Sequence, residues 1–337
     1  MSLGKRLIAT DAAGGGDGSA NFTPKLYSGG SAGQVISGVG FQPDLIIGKR
    51  MDSAEAWWAN DSLRSGKSLF PNTDDGQISF QYTTPNSDGF VVNGTGGVHN
   101  TGNLVAYCFK AGGAGSDIAS SSTGVSAASR SVNAASGFSI VTYTMSSSII
   151  AIPHGLSSAP KMAIVKRTNT TSDWFVYNSV VSGKGRGFLN KADQFDNSGI
   201  PTFGATDFTF QDSDPFSTGS VVVYFFADIA GYQKIGSYEG NGNDTGPTET
   251  TGFAVRFLMI KNADSNEGGG AAWLIYDSVR STSNPRDKRL YVNENYQQLQ
   301  DDRYDLDFLA DGFQIKSGDT NFGYNNAGET YLYLAIA

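Results

Sequence analysis

"AWLIYDSVR" (272–280) decides how the rest of the chain is read. A tryptophan, two aliphatic residues and a tyrosine lead into Asp277, Ser278 and Arg280. Taken alone, the mixture describes a sugar platform or a catalytic strand. It does not stand alone. "AWWANDSLR" (56–64) and "DWFVYNSVV" (173–181) follow the same plan. Trp57, Trp174 and Trp273 align, as do Asp61, Asn178 and Asp277, then Ser62, Ser179 and Ser278. A pattern used three times is architecture before it is chemistry, and internal repetition governs the fold reading.

The correspondence extends both ways. Upstream lie "DLIIGKRMD" (44–52), "KMAIVKRTN" (161–169) and "RFLMIKNAD" (256–264), apolar runs that end on Lys49, Lys166 and Lys261. Downstream lie "LVAYCFKA" (104–111), "VVVYFFAD" (221–228) and "TYLYLAIA" (330–337), with Tyr107, Tyr224 and Tyr333 read as equivalent. Lys49 to Tyr107 and Lys166 to Tyr224 are equally spaced. The third copy is longer, with extra residues near "NEGGG" and "STSNPRDKR". Each copy opens on a tyrosine strand, "KLYSGG" (25–30), "IVTYTM" (140–145) or "IGSYEG" (235–240). After the tryptophan strand come "LFPN", "FLN" or "LYVN", then a phenylalanine strand. That strand is introduced by Asp-Gly-Phe at Asp88–Phe90 and Asp311–Phe313, and by Thr206-Asp207-Phe208 in the middle copy.

These pieces are short, β-branched or aromatic, and bounded by Gly, Asn, Asp, Ser and Pro, which is the strand-and-turn signature. The fold class expected is all-β: three tandem β-sandwich (jelly-roll-like) repeats of about 90–105 residues, with a short N-terminal arm. The division is an arm over 1–21, repeats over 22–110, 137–231 and 232–337, and a Gly/Ala/Ser linker over 111–136. The linker's other reading is an extended segment that adds strand pairing to a neighbour. "VVVYFFA" is apolar at odd and even positions alike, so the closing strands are expected to be buried on both faces, against a neighbouring repeat or a neighbouring chain.

Composition agrees. Gly is 43 of 337 residues, charged residues are only 17% and aromatics 12%. Such a chain has large cores and a polar, weakly charged surface. A net charge of −8 with no basic run argues against a nucleic-acid partner. The single cysteine, Cys108, excludes an intrachain disulfide. No apolar run approaches the ~18 residues of a membrane span, and the start carries no signal-peptide pattern, so assembly in a cytoplasm is expected.

Catalytic machinery is hard to assemble from this chain. His99 and His154 sit in glycine-containing turns, no Gly-x-Ser-x-Gly is present, and Cys108 lies in an apolar strand. Zinc lacks ligands. Calcium needs oxygen ligands alone, which makes "NTDDGQ" (72–77), "QDSDPF" (211–216) and "NGNDTG" (241–246) candidate turns, although these are also ordinary turn residues. No cofactor is expected. Carboxylates are dispersed rather than paired as a glycosidase requires, and "GGGDGSAN" lacks the lysine of a phosphate loop. The remaining chemistry is sugar contact, for which Trp58, Asp61, Arg64, Asp277 and Arg280 are the candidates. A tryptophan followed by aliphatics on a strand is, against this, an ordinary core residue. Lys5, Arg6, Leu7 and Ile8 form a small basic and apolar patch in an arm too poor to fold alone, a candidate docking element.

"GFQPDLIIGKR", "HGLSSAPKMAIVKRTNTTSDWFVYNS", "GFSIVTYT", "GYQKIGSYEGNG", "TGFAVRFLMIK" and "AWLIYDSVR" together resemble the tandem modules of virion structural and tail-fibre-like proteins of marine and cyanobacterial bacteriophages. The resemblance covers about residues 22–337 and brings no catalytic residues. It implies a non-enzymatic virion surface protein, a short fibre or a capsid or tail decoration that contacts the host surface. It further implies a homotrimer, docking onto other capsid or tail proteins through the N-terminal arm, and a place on the outside of the particle. The alternative is a glycan-binding adhesin acting on host surface glycan, with a carbohydrate depolymerase third.

Overall fold

The computed structural model describes residues 20–94, 101–118, 125–145, 150–210, 219–266, 271–317 and 324–337. The fold is all-β, and among the described residues every strand pairing is antiparallel. Among the described residues a 3₁₀ turn is formed at Asp302–Tyr304. None of the described helices is long and apolar enough to cross a membrane.

Six sheets form three pairs. In the first, a large sheet runs in the order Phe22–Ser28, Asn103–Phe109, Leu45–Arg50, Trp58–Asp61, and packs on a small sheet of Val35–Ser37, Gly89–Val92 and Thr83–Asn86. In the second, Phe138–Met145, Gly219–Phe226, Met162–Arg167 and Trp174–Asn178 keep that order, over Ile150–Pro153, Asp207–Phe210 and Thr202–Phe203. The third repeats it with Gln233–Glu239, Thr330–Ile336, Phe257–Asn262 and Trp273–Asp277, over Thr248–Thr250, Gly312–Ile315 and Leu306–Leu309.

The period-2 geometry of a strand explains the doubly apolar closing strands. Val221, Val223 and Phe225 point into the second pair's own sandwich, whereas Val222, Tyr224 and Phe226 join a central core. That central core also takes Trp57, Val105 and Tyr107 from the first pair and Trp273, Leu332 and Leu334 from the third. All three large sheets are therefore covered on both faces. The second surface is supplied by the rest of the same chain, so the face on which a homotrimer was expected is already occupied.

Two sequence readings change. Lys49, Lys166 and Lys261 pair with Val105, Val222 and Leu332, and two residues on stand Tyr107, Tyr224 and Leu334. Tyr333 is one residue out of register with the two tyrosines. A one-residue slip reverses the face, and Tyr333 points into the third sandwich, where its ring meets Phe313 at 5.0 Å. The second change concerns 111–136. Val125–Asn133 is not linker but a strand, paired with Phe138–Met145 from Asn133↔Phe138 to Val125↔Met145, with Ser116–Asp117 beyond it. Few anchoring side chains are needed because the backbone ladder does the holding, while Val125, Ala128 and Val132 pack on the second sandwich.

Candidate functional site

The residues proposed for sugar contact are placed by the tryptophan strands and the turns that follow them. Each turn is an Asx turn. Asp61 Oδ1 accepts from the backbone N–H of Leu63 (3.2 Å) and Arg64 (3.0 Å), and Asp277 Oδ1 from Val279 (3.1 Å) and Arg280 (2.8 Å). Asn178 Oδ1 does the same for Val180 and Val181. Arg64 and Arg280 then fold back onto the second carboxylate oxygen of the aspartate three residues earlier.

This arrangement withdraws the candidates from any ligand. Trp58 and Asp277 are 0% exposed, Asp61 3%, Arg280 4% and Arg64 8%. The five are structural, and the sugar-contact reading of them is corrected accordingly. What meets the carboxylates is a tyrosine from another sheet pair. The Tyr224 hydroxyl donates to Asp61 Oδ2 at 2.7 Å, and the Tyr107 hydroxyl to Asp277 Oδ2 at 2.8 Å. Burial, reinforced by the neighbouring carboxylate, holds both phenols well above their ordinary range. Burial alone works against the guanidinium charges, but the carboxylate and phenol outweigh it and the net shift of both arginines is upward. An ion pair closed to water needs such additional hydrogen bonds to be tolerated.

Two more sets of donors cross the same junctions. Trp57 Nε1 donates to the Tyr291 carbonyl (2.8 Å), Trp174 Nε1 to Phe70 (3.0 Å) and Trp273 Nε1 to Phe188 (2.7 Å). Lys49 Nζ donates to the Asn295 carbonyl (3.1 Å), Lys166 Nζ to Asp74 (3.0 Å) and Lys261 Nζ to Ala192 (3.0 Å). In both of these sets the first pair reaches to the third, the second to the first, and the third to the second. Asn72, Asn190 and Asn293 brace the indoles, each accepting from the tryptophan backbone N–H at 2.9 Å. Sequence reasoning quoted these asparagines without a role for them. It missed the tyrosine–aspartate bonds, whose signal is that Asp and Arg occur together in two copies and give way together to Asn178 and Val181 in the other.

The other candidates have structural roles. The His154 ring is buried. Its Nδ1 accepts from the Leu156 N–H (3.1 Å), so Nε2 carries the proton and donates to the Gly204 carbonyl (3.2 Å). Burial lowers its pKa. Burial pushes the Cys108 thiol up, away from thiolate chemistry. In "NTDDGQ" the Asp74 carbonyl is engaged by Lys166, and Asp75 accepts from Thr73. In "NGNDTG" Asn241 is bonded to Asn325. Among the described residues no group of three His, Cys, Asp or Glu is placed to hold a metal. "QDSDPF", His99 and the arm with Lys5, Arg6, Leu7 and Ile8 lie outside the described residues.

Between the first and second sheet pairs the surface opens into a cleft of about 480 Å³, lined by Lys67, Phe70, Asp75 to Ser79 and Thr168 to Thr171. It adjoins the buried triad, because Arg64 Nη1 donates to Gln77 Oε1 at 3.2 Å.

Residues 17–337 match the model of a family described as a domain of unknown function (DUF7483). No curated protein and no solved structure matches the chain.

Proposed function

The chain belongs to the DUF7483 family, and we propose that it serves as a non-enzymatic surface protein of a bacteriophage particle, a short fibre or a capsid or tail decoration. The motif resemblance supports the particle. The observation that carries the reading is the cyclic lock: indole and ammonium groups of three sheet pairs cross-bond around one shared core, and at two of the junctions a tyrosine hydroxyl meets a buried carboxylate as well. Residue types that would supply a site are committed to holding the body together. A particle protein must keep its shape outside the cell, here without a disulfide, and satisfied buried polar groups in a dry core do that. A weakly charged surface suits contact with neighbouring shell proteins. In this reading Lys5, Arg6, Leu7 and Ile8 tether the body to the capsid or tail.

The test is direct. Antibodies raised against the purified chain are expected to label the outside of gradient-purified particles of the encoding phage, at a fixed copy number. Removal of residues 1–19 is expected to abolish incorporation while leaving the body folded. A chain found in the infected-cell lysate and never in the particle band overturns the reading.

A further inference from the structure

We propose that the cleft between the first and second sheet pairs binds a neutral saccharide. The volume of about 480 Å³ lies within the ~300–1,000 Å³ range of small-ligand sites. Half-buried Phe70 and Ile78 provide an apolar surface, and Lys67, Asp75, Gln77, Asn169 and Thr171 surround it with polar groups. A sugar ring has the matching character. Its C–H face packs on an aromatic or aliphatic surface, and its hydroxyls both donate and accept, as amide and hydroxyl side chains do. One lysine and one aspartate leave the lining with no net charge, which disfavours a phosphate or polyanion, whose recognition takes clustered cations.

The polar groups are pre-positioned. Arg64 can only donate, so the Gln77 carboxamide must turn its oxygen to it, and the NH₂ end is the donor left to a ligand. Lys67 Nζ is held by Ser79 Oγ at 2.9 Å, and Asn169 Oδ1 accepts from the Ser220 N–H at 3.2 Å. The Gln77 backbone N–H reaches across to the Thr168 carbonyl at 2.7 Å, which fixes the two walls relative to each other.

The other two junctions differ from this one at the corresponding positions. The Gln77 N–H bond to Thr168 is matched by Phe195 to Ala263 and by Gln298 to Met51, which sets the equivalences. At the second–third junction Phe195 is 2% exposed and packs on Trp273 at 5.9 Å, filling the place Gln77 leaves open. Asp264, at the position of Asn169, is tied to Lys184 in an ion pair. At the third–first junction Met51 replaces Thr168, and Asp52 is paired with Arg50 at 2.7 Å. The residue before each of these is Gly76, Gln194 or Gln297, so the first–second junction alone has no side chain there. Gly76 and Asn169 distinguish this junction from both others, while Gln77 differs from Phe195 and is shared with Gln298, which accepts from Arg280 as Gln77 does from Arg64.

The experiment uses the full chain and a panel of neutral trisaccharides built from glucose, mannose, galactose or N-acetylglucosamine, with a sulfated heparin tetrasaccharide and inorganic phosphate as charged counter-probes, followed by calorimetry and saturation-transfer NMR at millimolar concentration. At least one neutral trisaccharide is expected to bind. Thr171→Trp, which fills an exposed part of the lining, and Asn169→Ala are each expected to weaken it by about tenfold or more, with unchanged thermal unfolding. Binding by the charged probes only, by no member of the panel, or equally by wild type and both variants overturns the proposal. It does not rest on the particle reading: a chain that binds sugar yet never enters particles would sink that reading and leave this one standing.

Discussion

The Tyr224 hydroxyl donates to Asp61 Oδ2 at 2.7 Å, joining two sheet pairs through a carboxylate already paired with Arg64. Tyr107 and Asp277 repeat the bond at the third–first junction. At the second–third junction the corresponding positions are Leu334, Asn178 and Val181, and all three belong to the seam as apolar or turn-forming residues. The polar set is present whole or exchanged whole. Burial accounts for this, since each member is tolerated only while the others compensate it.

The triad should therefore be strongly non-additive. Arg64→Val leaves the Asp61 carboxylate buried without its cation and is expected to cost about 3–5 kcal/mol. Asp61→Asn, Arg64→Val and Tyr224→Leu together install the second–third junction's own set, and the triple variant is expected to be more stable than Arg64→Val alone. Urea denaturation of the singles and the triple measures this. Additive losses would refute the coupling.

Gly48 is required by a close approach. A Cβ there would stand 2.1 Å from Cζ2 of Trp58, whose indole lies across the glycine inside the first sandwich. Gly48→Ala must displace the ring, at about 1–3 kcal/mol, with a changed near-UV dichroism. An unchanged spectrum and denaturation midpoint would contradict the packing.

Stability should rise through mildly alkaline pH. Burial lowers the Lys261 ammonium to about 7 and those of Lys49 and Lys166 to about 8. In the unfolded chain they titrate near ~10.4. Between these values the unfolded state binds more protons, so stability increases with pH, from about 7 towards about 10. Above about 10 the sign reverses, because the buried tyrosines are raised and the unfolded ones ionise first. Thermal unfolding against pH should show this maximum, with a smaller rise in Lys261→Met. A flat profile would remove the argument.

Sedimentation should give the mass of one chain. The apolar faces that would drive trimerisation are buried against the other sheet pairs of the same polypeptide. A concentration-independent trimer would require another interface.

Much of the architecture was readable because Trp57, Trp174 and Trp273 each fall opposite a lysine strand in the same register, and spacing preserves register. The tyrosine slip had a physical origin. "TYLYLAIA" has tyrosines two apart, at 331 and 333, and equivalence with Tyr107 requires the other phase, where Leu334 stands at the matching position. Val125–Asn133 was read as linker because its side chains are small, yet a β ladder is made of backbone. Asp61, Arg64, Asp277 and Arg280 looked like surface chemistry because sequence records charge and not burial. The cleft had no motif to find. Its distinguishing residues are Gly76 and Asn169, where the other junctions carry Gln194 and Gln297 and the paired Asp264 and Asp52, and that contrast becomes visible only once the junctions are superposed.

The direction of the cross-bonds has one more effect. In an open stack of sandwiches the outermost member has a bare flank, which needs a cap and can fray independently of the rest. Here each member hands its tryptophan and lysine to one neighbour and receives those of the other. No member is outermost. Inserting a fourth or deleting one would orphan buried donors at every seam it touched, so copy number is set by closure, and a single cooperative unfolding transition is expected.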